Sequence, residues 1–408
     1  MIGGVCHRRV LVTLVLVVTV LAGCAAAAAP PAPSGTEPTS APAVCGLWLA
    51  TGGTPTDEQV RYAAGRYGVV VLNAWDTDVA RRLRAQDPGI VLLVYKDLSS
   101  TRGYAEVGLH GGLLPTGVDG ATADPAWFAT DTAGRRIEWA PYPQHWQMAV
   151  WDEAYQRAWT ERIVAETVRD GWDGVFADND MSSLRFYSDA VVAGTPDRNG
   201  TDTLLRDGLD ALVTRAGTAL GERGKVLVPN LSEARLFPGR WTRHARFGGA
   251  MEENFAQYGE DGALTTWQGH QWAEMLAAPP QDLTLLVTAT AGRPEARPGA
   301  AERAGFAGAA LLGGPSRSCW TPSTTRDYSL PEWSGYRSLG LGAATGPAVR
   351  DGRTGVWTRG FAGGWVALNP TPDDAEVAAP GGLRTVDGGR IGDTVSIGSA
   401  DATILVRR

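Results

Sequence analysis

The chain has 408 residues, 44% of them hydrophobic, and a formal net charge of −7, with a calculated isoelectric point near 5.4. That is enough apolar material for one large domain or a large one with a small companion, and the acidic balance argues against a nucleic-acid partner, which calls for a basic face. The five histidines are scattered, and no Cys-x-x-Cys, His-Glu-x-x-His, Gly-x-Ser-x-Gly or phosphate-loop spacing occurs, so neither a metal nor another cofactor is expected.

In chain order, His7-Arg8-Arg9 is a positive start, Val10 to Val20 an apolar core too short for a comfortable membrane span, and Leu21-Ala22-Gly23-Cys24 a small-residue cleavage site. Residues 1–23 therefore read as a signal peptide. The last four residues resemble a bacterial lipobox, which implies lipid attachment at Cys24 and an anchor on the outer face of the cell membrane. Residues 24–43, mostly Ala, Pro, Ser and Thr, read as a tether. In an exported chain Cys45 and Cys319 are candidates for a disulfide. They flank the first and last predicted barrel strands, although the predicted ends would require the chain to double back.

From residue 44 to about 338, short apolar runs alternate with helical patterns. The predicted strands are Gly46–Ala50, Val69–Leu72, Ile90–Val94, the stretch from Gly174, Lys225–Asn230, Gly248–Phe255, Leu283–Val287 and Gly305–Leu312. Helices are expected over Thr56–Arg66, Thr77–Ala85, Glu153–Asp170, Thr201–Leu220, Trp267–Leu276 and around Ala301–Ala304. Eight such units predict an α/β fold, a (β/α)8 TIM barrel. The rhythm breaks from Ser99 to Trp151, where Trp127, Phe128, Trp139, Tyr142, Trp146 and Trp151 gather, and Asp131–Arg136 reads as a hairpin turn; a long insertion of this kind is expected to wall the site. Residues 339–408 change texture to short strands split by Gly, Pro and Asp, which predicts a small all-β, sandwich-like domain.

Polar and aromatic groups cluster at the predicted strand ends: Trp48, Asn73, Trp75, Tyr95, Lys96, Asp178, Asp180, Asn230, Glu252 and Glu253. Barrel active sites sit at that end. Two carboxyl groups opposed across a pocket are what cleavage of a glycosidic bond requires, and flat rings suit stacking on sugars. Asp178 is the candidate nucleophile or base. Strand alternation admits one of Glu252 and Glu253 to the mouth as general acid, with Glu253 preferred. Trp48, Asn73, Trp75, Tyr95, Lys96, Trp146, Asp180 and Asn230 are candidate substrate contacts; Asp180 reads equally as a loop residue, and Lys96 equally as half of a structural ion pair.

The layout of Trp127-Phe128, the turn from Asp131 to Ile137, the Tyr155/Trp159 helix, Gly171-Trp172-Asp173-Gly174-Val175-Phe176-Ala177-Asp178-Asn179 and Gly249-Ala250-Met251-Glu252-Glu253-Asn254-Phe255 resembles the hypothetical glycosyl hydrolase families. These are similar to endo-α-1,4-polygalactosaminidases and, more distantly, to α-galactosidases. The resemblance implies a barrel hydrolase with an acid/base pair on strands four and six. Where such families often carry an Asp before the helix leading to strand four, this chain has Val150-Trp151-Asp152. The expectation is thus a lipid-anchored, monomeric extracytoplasmic glycoside hydrolase acting on a carbohydrate. The alternative is a carbohydrate-binding lipoprotein whose barrel has no catalysis.

Overall fold

In the computed structural model the described residues are 43–103, 113–290, 297, 299–313, 318–325 and 328–407. The expected signal peptide, the Cys24 lipidation site and the tether, apart from its last residue Ala43, lie outside them. Strands and helices follow in the order β1 (Cys45–Ala50), α1 (Asp57–Ala63), β2 (Val69–Leu72), α2 (Thr77–Gln86) and β3 (Val91–Asp97). The insertion then contributes β4 (Ser100–Arg102) and β5 (His145–Gln147). The barrel resumes with α3 (Glu153–Arg169), β6 (Gly174–Asp180), α4 (Arg198–Gly221), β7 (Val226–Leu231), α5 (Arg240–Ala245), β8 (Gly249–Glu252), α6 (Gln271–Ala277), β9 (Leu283–Ala289), α7 (Ala300–Leu312) and β10 (Ser318–Ser323).

Eight of these strands close in the order β1-β10-β9-β8-β7-β6-β3-β2, every pairing parallel. The fold is a (β/α)8 barrel. Residues such as Leu47, Val71, Leu93, Val228, Met251 and Leu285 fill its interior, while the alternate positions of the same strands meet the helices. Local chemistry places the helix starts: Thr56 caps α1 with a reciprocal Gln59 bond, and Asp152 caps α3 by accepting from the Tyr155 amide at 2.8 Å. Asp152, the departure noted above, therefore serves the helix start.

The eighth strand differs from expectation. Gly305–Leu312 belongs to α7, and the strand lies at Ser318–Ser323. Every residue from Ala304 to Leu312 is buried, because a C-terminal β layer covers the outer face of the helix. A helix buried all round loses the 3.6-residue periodicity that identifies one, and its short apolar run mimics a buried strand. Moving the strand to Ser318–Ser323 also sets Cys319 directly opposite Cys45 in register, and the two are joined in a disulfide. No doubling back is needed.

The C-terminal residues form two small antiparallel sheets. The larger has the order β11-β12-β13-β17-β15, built from Val349–Arg350, Trp357–Phe361, Gly364–Asn369, Asp401–Val406 and Arg384–Thr385 respectively. The smaller pairs β14 (Ala375–Ala378) with β16 (Thr394–Ile397). Trp365, Val377, Ile397 and Leu405 fill the space between the sheets. Val366, Leu368 and Ile404, on the other face of the large sheet, join the core around α7.

Candidate active site

The strand ends of β2, β3, β6 and β7 open into a cavity of about 710 Å³ bordered by Asn73, Trp75, Tyr95, Asp178, Asn230, Glu253 and Tyr328, among others. The arrangement is built outward from Asn230 at the end of β7. Its amide nitrogen donates to Asp178 Oδ1 at 2.9 Å and to Glu253 Oε2 at 2.8 Å. One side chain thus links the two carboxylates. The Tyr95 hydroxyl donates to Asp178 Oδ2 at 2.7 Å, and the Asn179 amide donates to Asp178 Oδ1 at 2.9 Å. On the other side, the Tyr328 hydroxyl donates to Glu253 Oε1 at 2.6 Å. Burial, with the Asp178 charge next in importance, pushes the Tyr95 phenol well above its ordinary range, so this hydroxyl remains a donor.

The backbone that presents Asp178 is irregular. The register of β6 against β7 shifts between Ala177 and Asp180, and Asn179 adopts a left-handed φ of 62°. Asn is among the few side chains that tolerate this region. The Asn179 side-chain nitrogen Nδ2 donates to Asp97 Oδ2 at 2.9 Å, and its side-chain oxygen Oδ1 accepts from the Tyr187 hydroxyl at 2.7 Å. Asp97 is paired with Asp178 in the parallel register. It also accepts from the Ser99 and Ser100 amides and the Ser100 hydroxyl. Burial and the neighbouring Asp178 charge still push its carboxyl up to about 7. Asp97, Tyr187 and Tyr328 were not singled out from the sequence, and Asn179 was read only as part of the stretch that carries Asp178. Asp97 had a signal there, as an acid at a strand end; Tyr187 and Tyr328 reach the site through loops.

Several expected contacts are corrected. Trp48 is buried on the outer side of β1, 6.2 Å from the Tyr67 ring, and does not border the cavity. Lys96 is one step out of phase with Tyr95 and points into the helical layer, paired with Glu166 and donating to the Leu114 carbonyl at 2.6 Å. Burial lowers its pKa, opposed by Glu166. Trp146 packs within the β4–β5 ribbon, opposite Thr101. Asp180 borders the cavity, but its carboxylate is held by Arg240 and His244; the same shift in register that frees Asp178 turns Asp180 toward α5. Burial opposes protonation of His244, yet Asp180 and Asp210 together raise its pKa. Glu252 is buried against Gln271, whose amide donates to it, and burial pushes its carboxyl up to about 7. Asn73 and Trp75 border the cavity as expected, Asn73 donating to the Thr51 carbonyl at 3.3 Å.

A parallel barrel with two carboxylates facing one another at the C-terminal mouth is an arrangement that glycoside hydrolases use. The chain belongs to hypothetical glycosyl hydrolase family 15, whose model matches residues 84–365. Among solved structures it is similar to the glycoside hydrolase domain of PelA from Pseudomonas aeruginosa, at 14% identity over 72% of this chain and 98% of that one, with a TM-score of 0.44. An α-amylase from Malbranchea cinnamomea is similar at 11% identity over 90% and 96% of the two chains, with a TM-score of 0.46. A cycloalternan-degrading enzyme from Trueperella pyogenes, solved with isomaltose, is similar at 12% identity over 92% and 63%, with a TM-score of 0.47. Comparison with curated proteins gives no match.

Proposed function

We propose that this protein hydrolyses O-glycosidic bonds of a polysaccharide or oligosaccharide, with Asp178 as nucleophile and Glu253 as acid/base. The observation that carries this reading is the single Asn230 amide nitrogen, 2.9 Å from one carboxylate and 2.8 Å from the other. Carboxylates sharing one nitrogen lie within about 6 Å of each other at their nearest oxygens, close to the ~5–5.5 Å of retaining enzymes and short of the ~6.5–9.5 Å of inverting ones. Three donors reach the Asp178 oxygens, from Tyr95, Asn179 and Asn230, an environment that suits a nucleophilic carboxylate.

In the first step Glu253 gives its proton to the glycosidic oxygen while an Asp178 oxygen attacks the anomeric carbon. The carbon–oxygen bond to the leaving sugar breaks, and a glycosyl ester forms on Asp178. In the second, Glu253 takes a proton from water, the water oxygen bonds to the anomeric carbon, and the ester opens to restore the Asp178 carboxylate. The substrate class proposed is an α-linked or amino-sugar polysaccharide at the cell surface. The Cys24 lipobox would hold the enzyme to the outer face of the membrane, with the tether giving it reach.

The experiment is a reducing-end assay on microbial exopolysaccharides with the wild type, Asp178→Asn and Glu253→Gln. Each substitution is expected to lower kcat by at least about 10²–10⁴-fold, and the first anomer released should keep the configuration of the substrate by proton NMR. Full activity in Asp178→Asn would overturn the assignment. Glycan binding without cleavage by the wild type would favour a binding protein instead.

A further inference from the structure

Large hydrophobic side chains left exposed among the described residues include Tyr142, at 48%, and Phe186, at 44%. Of those, only these two border the central cavity. They come from different parts of the chain, the insertion after β3 and the loop after β6, yet both border the same cavity, and Phe186 is joined through its chain neighbour Tyr187 to the wall that carries Tyr142.

That wall is stiff. Trp139 stacks on Tyr187 with ring centroids 4.0 Å apart and planes 16° from parallel. Tyr142 meets Tyr187 edge-on at 5.8 Å, and His145 backs the Tyr142 ring at 5.4 Å, nearly parallel. Backbone bonds from the Tyr142 amide to Trp139 and from the His145 amide to Tyr142 fix the turn. Burial, aided by Arg102, lowers the His145 pKa to about 4, so the ring behind Tyr142 is uncharged at neutral pH. Tyr187 ties the wall to the reacting end, its hydroxyl on Asn179 next to Asp178.

Resting on the glycosidase reading above, we propose that Tyr142 and Phe186 form a sugar-ring platform outside the cleavage point. It would make the enzyme one that recognises several consecutive residues of a glycan chain. Isolated exposed apolar residues are ordinary on protein surfaces. Two aromatic rings bordering one pocket, Tyr142 backed by a stack of further rings and Phe186 next in sequence to Tyr187 of that stack, present the flat apolar surface that the carbon–hydrogen face of a pyranose covers. The cavity volume of about 710 Å³ lies in the range of pockets that enclose ligands of several rings.

The test uses a ladder of α-1,4-linked galactosamine oligosaccharides from monomer to hexamer, with calorimetric affinity and hydrolysis measured for each. Wild-type affinity is expected to climb with chain length. In Tyr142→Ala and Phe186→Ala the climb should flatten, with hexamer affinity down about tenfold and the dimer affected less. Tyr142→Phe, which keeps the ring, should recover the wild-type slope. Affinity independent of length in the wild type, or the same slope in both alanine variants, overturns the platform. A flattened slope without any hydrolysis would keep the platform and overturn the hydrolase. Hydrolysis with unaltered slopes would do the reverse, and no binding at all would overturn both.

Discussion

One step at the end of β8 separates a carboxylate that faces the cavity from one that faces protein. Glu253 reaches Asn230 and Tyr328 in the cavity, whereas Glu252 is buried against Gln271. Burial dominates at Glu252 and raises its carboxyl from 4.5 to about 7. The native state then holds a proton that the unfolded chain releases at lower pH. Stability is therefore fully present below about pH 4, falls as pH rises through the window from about 4 to about 7, and levels off above it. Glu252→Gln keeps an acceptor for Gln271 and removes that penalty. Urea denaturation at pH 8 is expected to show the variant more stable than wild type, by on the order of 2 kcal/mol, with the difference vanishing near pH 4. An equal difference at both pH values would mean that the carboxyl does not titrate across the window. The same alternation explains Lys96 and Trp48: each sits one position out of phase with the mouth, and side-chain type alone does not reveal phase.

At the scale of elements, seven barrel strands and the small β layer were legible because apolar runs broken by turn residues survive wherever one face meets a core. Asp178 was legible because a carboxylate is out of place in a buried strand except at its exit. The eighth strand was not, and α7 shows why. Gly305 packs so closely that an added Cβ would lie 2.4 Å from Thr288 Oγ1 and 2.9 Å from Trp320 Nε1, two atoms that bond each other at 3.1 Å. A helix pressed this tightly between barrel and β layer needs small residues throughout, and Gly-Phe-Ala-Gly-Ala-Ala-Leu-Leu carries no polar stripe to mark it. Nor could the sequence supply Tyr328, which a loop brings in across the mouth. For Gly305→Val, any gain in helix propensity over glycine is at most about 1 kcal/mol, while overpacking costs about 1–3 kcal/mol. The variant should be less stable by about 1–2 kcal/mol in urea denaturation. A stabilised variant would show that α7 can back away from the barrel.

For the molecule as a whole, the site depends on the barrel staying closed, and closure is uneven. The β9–β10 seam pairs residues from Ser318↔Thr284 through Ser323↔Ala289, but the β1–β10 seam pairs only Cys45↔Cys319 and Gly46↔Trp320. The first and last strands thus meet over one end alone, and there the chain adds a covalent bond between residues 274 apart in sequence. The Arg337 guanidinium packs over Gly46, the residue after Cys45, 4.0 Å from the Trp333 ring centroid and donating to the Arg66 carbonyl. Spanning so much of the chain, the bridge removes a large share of the freedom of the unfolded state; the chain-entropy model places it at ~5 kcal/mol, above the ~2–4 kcal/mol that disulfides usually deliver. Tyr328 follows β10 and touches Glu253, while its carbonyl accepts from the Gly52 amide beyond β1. Loosening the seam therefore loosens one hydrogen-bond partner of Glu253. Replacing both cysteines by alanine is expected to cost about 2–4 kcal/mol of stability and several degrees of Tm. Below that lowered Tm, kcat should fall modestly, while KM for short substrates stays nearer the wild-type value because Asp178 and Asn230 sit across the barrel on β6 and β7. Unchanged stability after reduction or substitution would show that the two-pair seam holds without the bridge, and that barrel closure owes nothing to the covalent link.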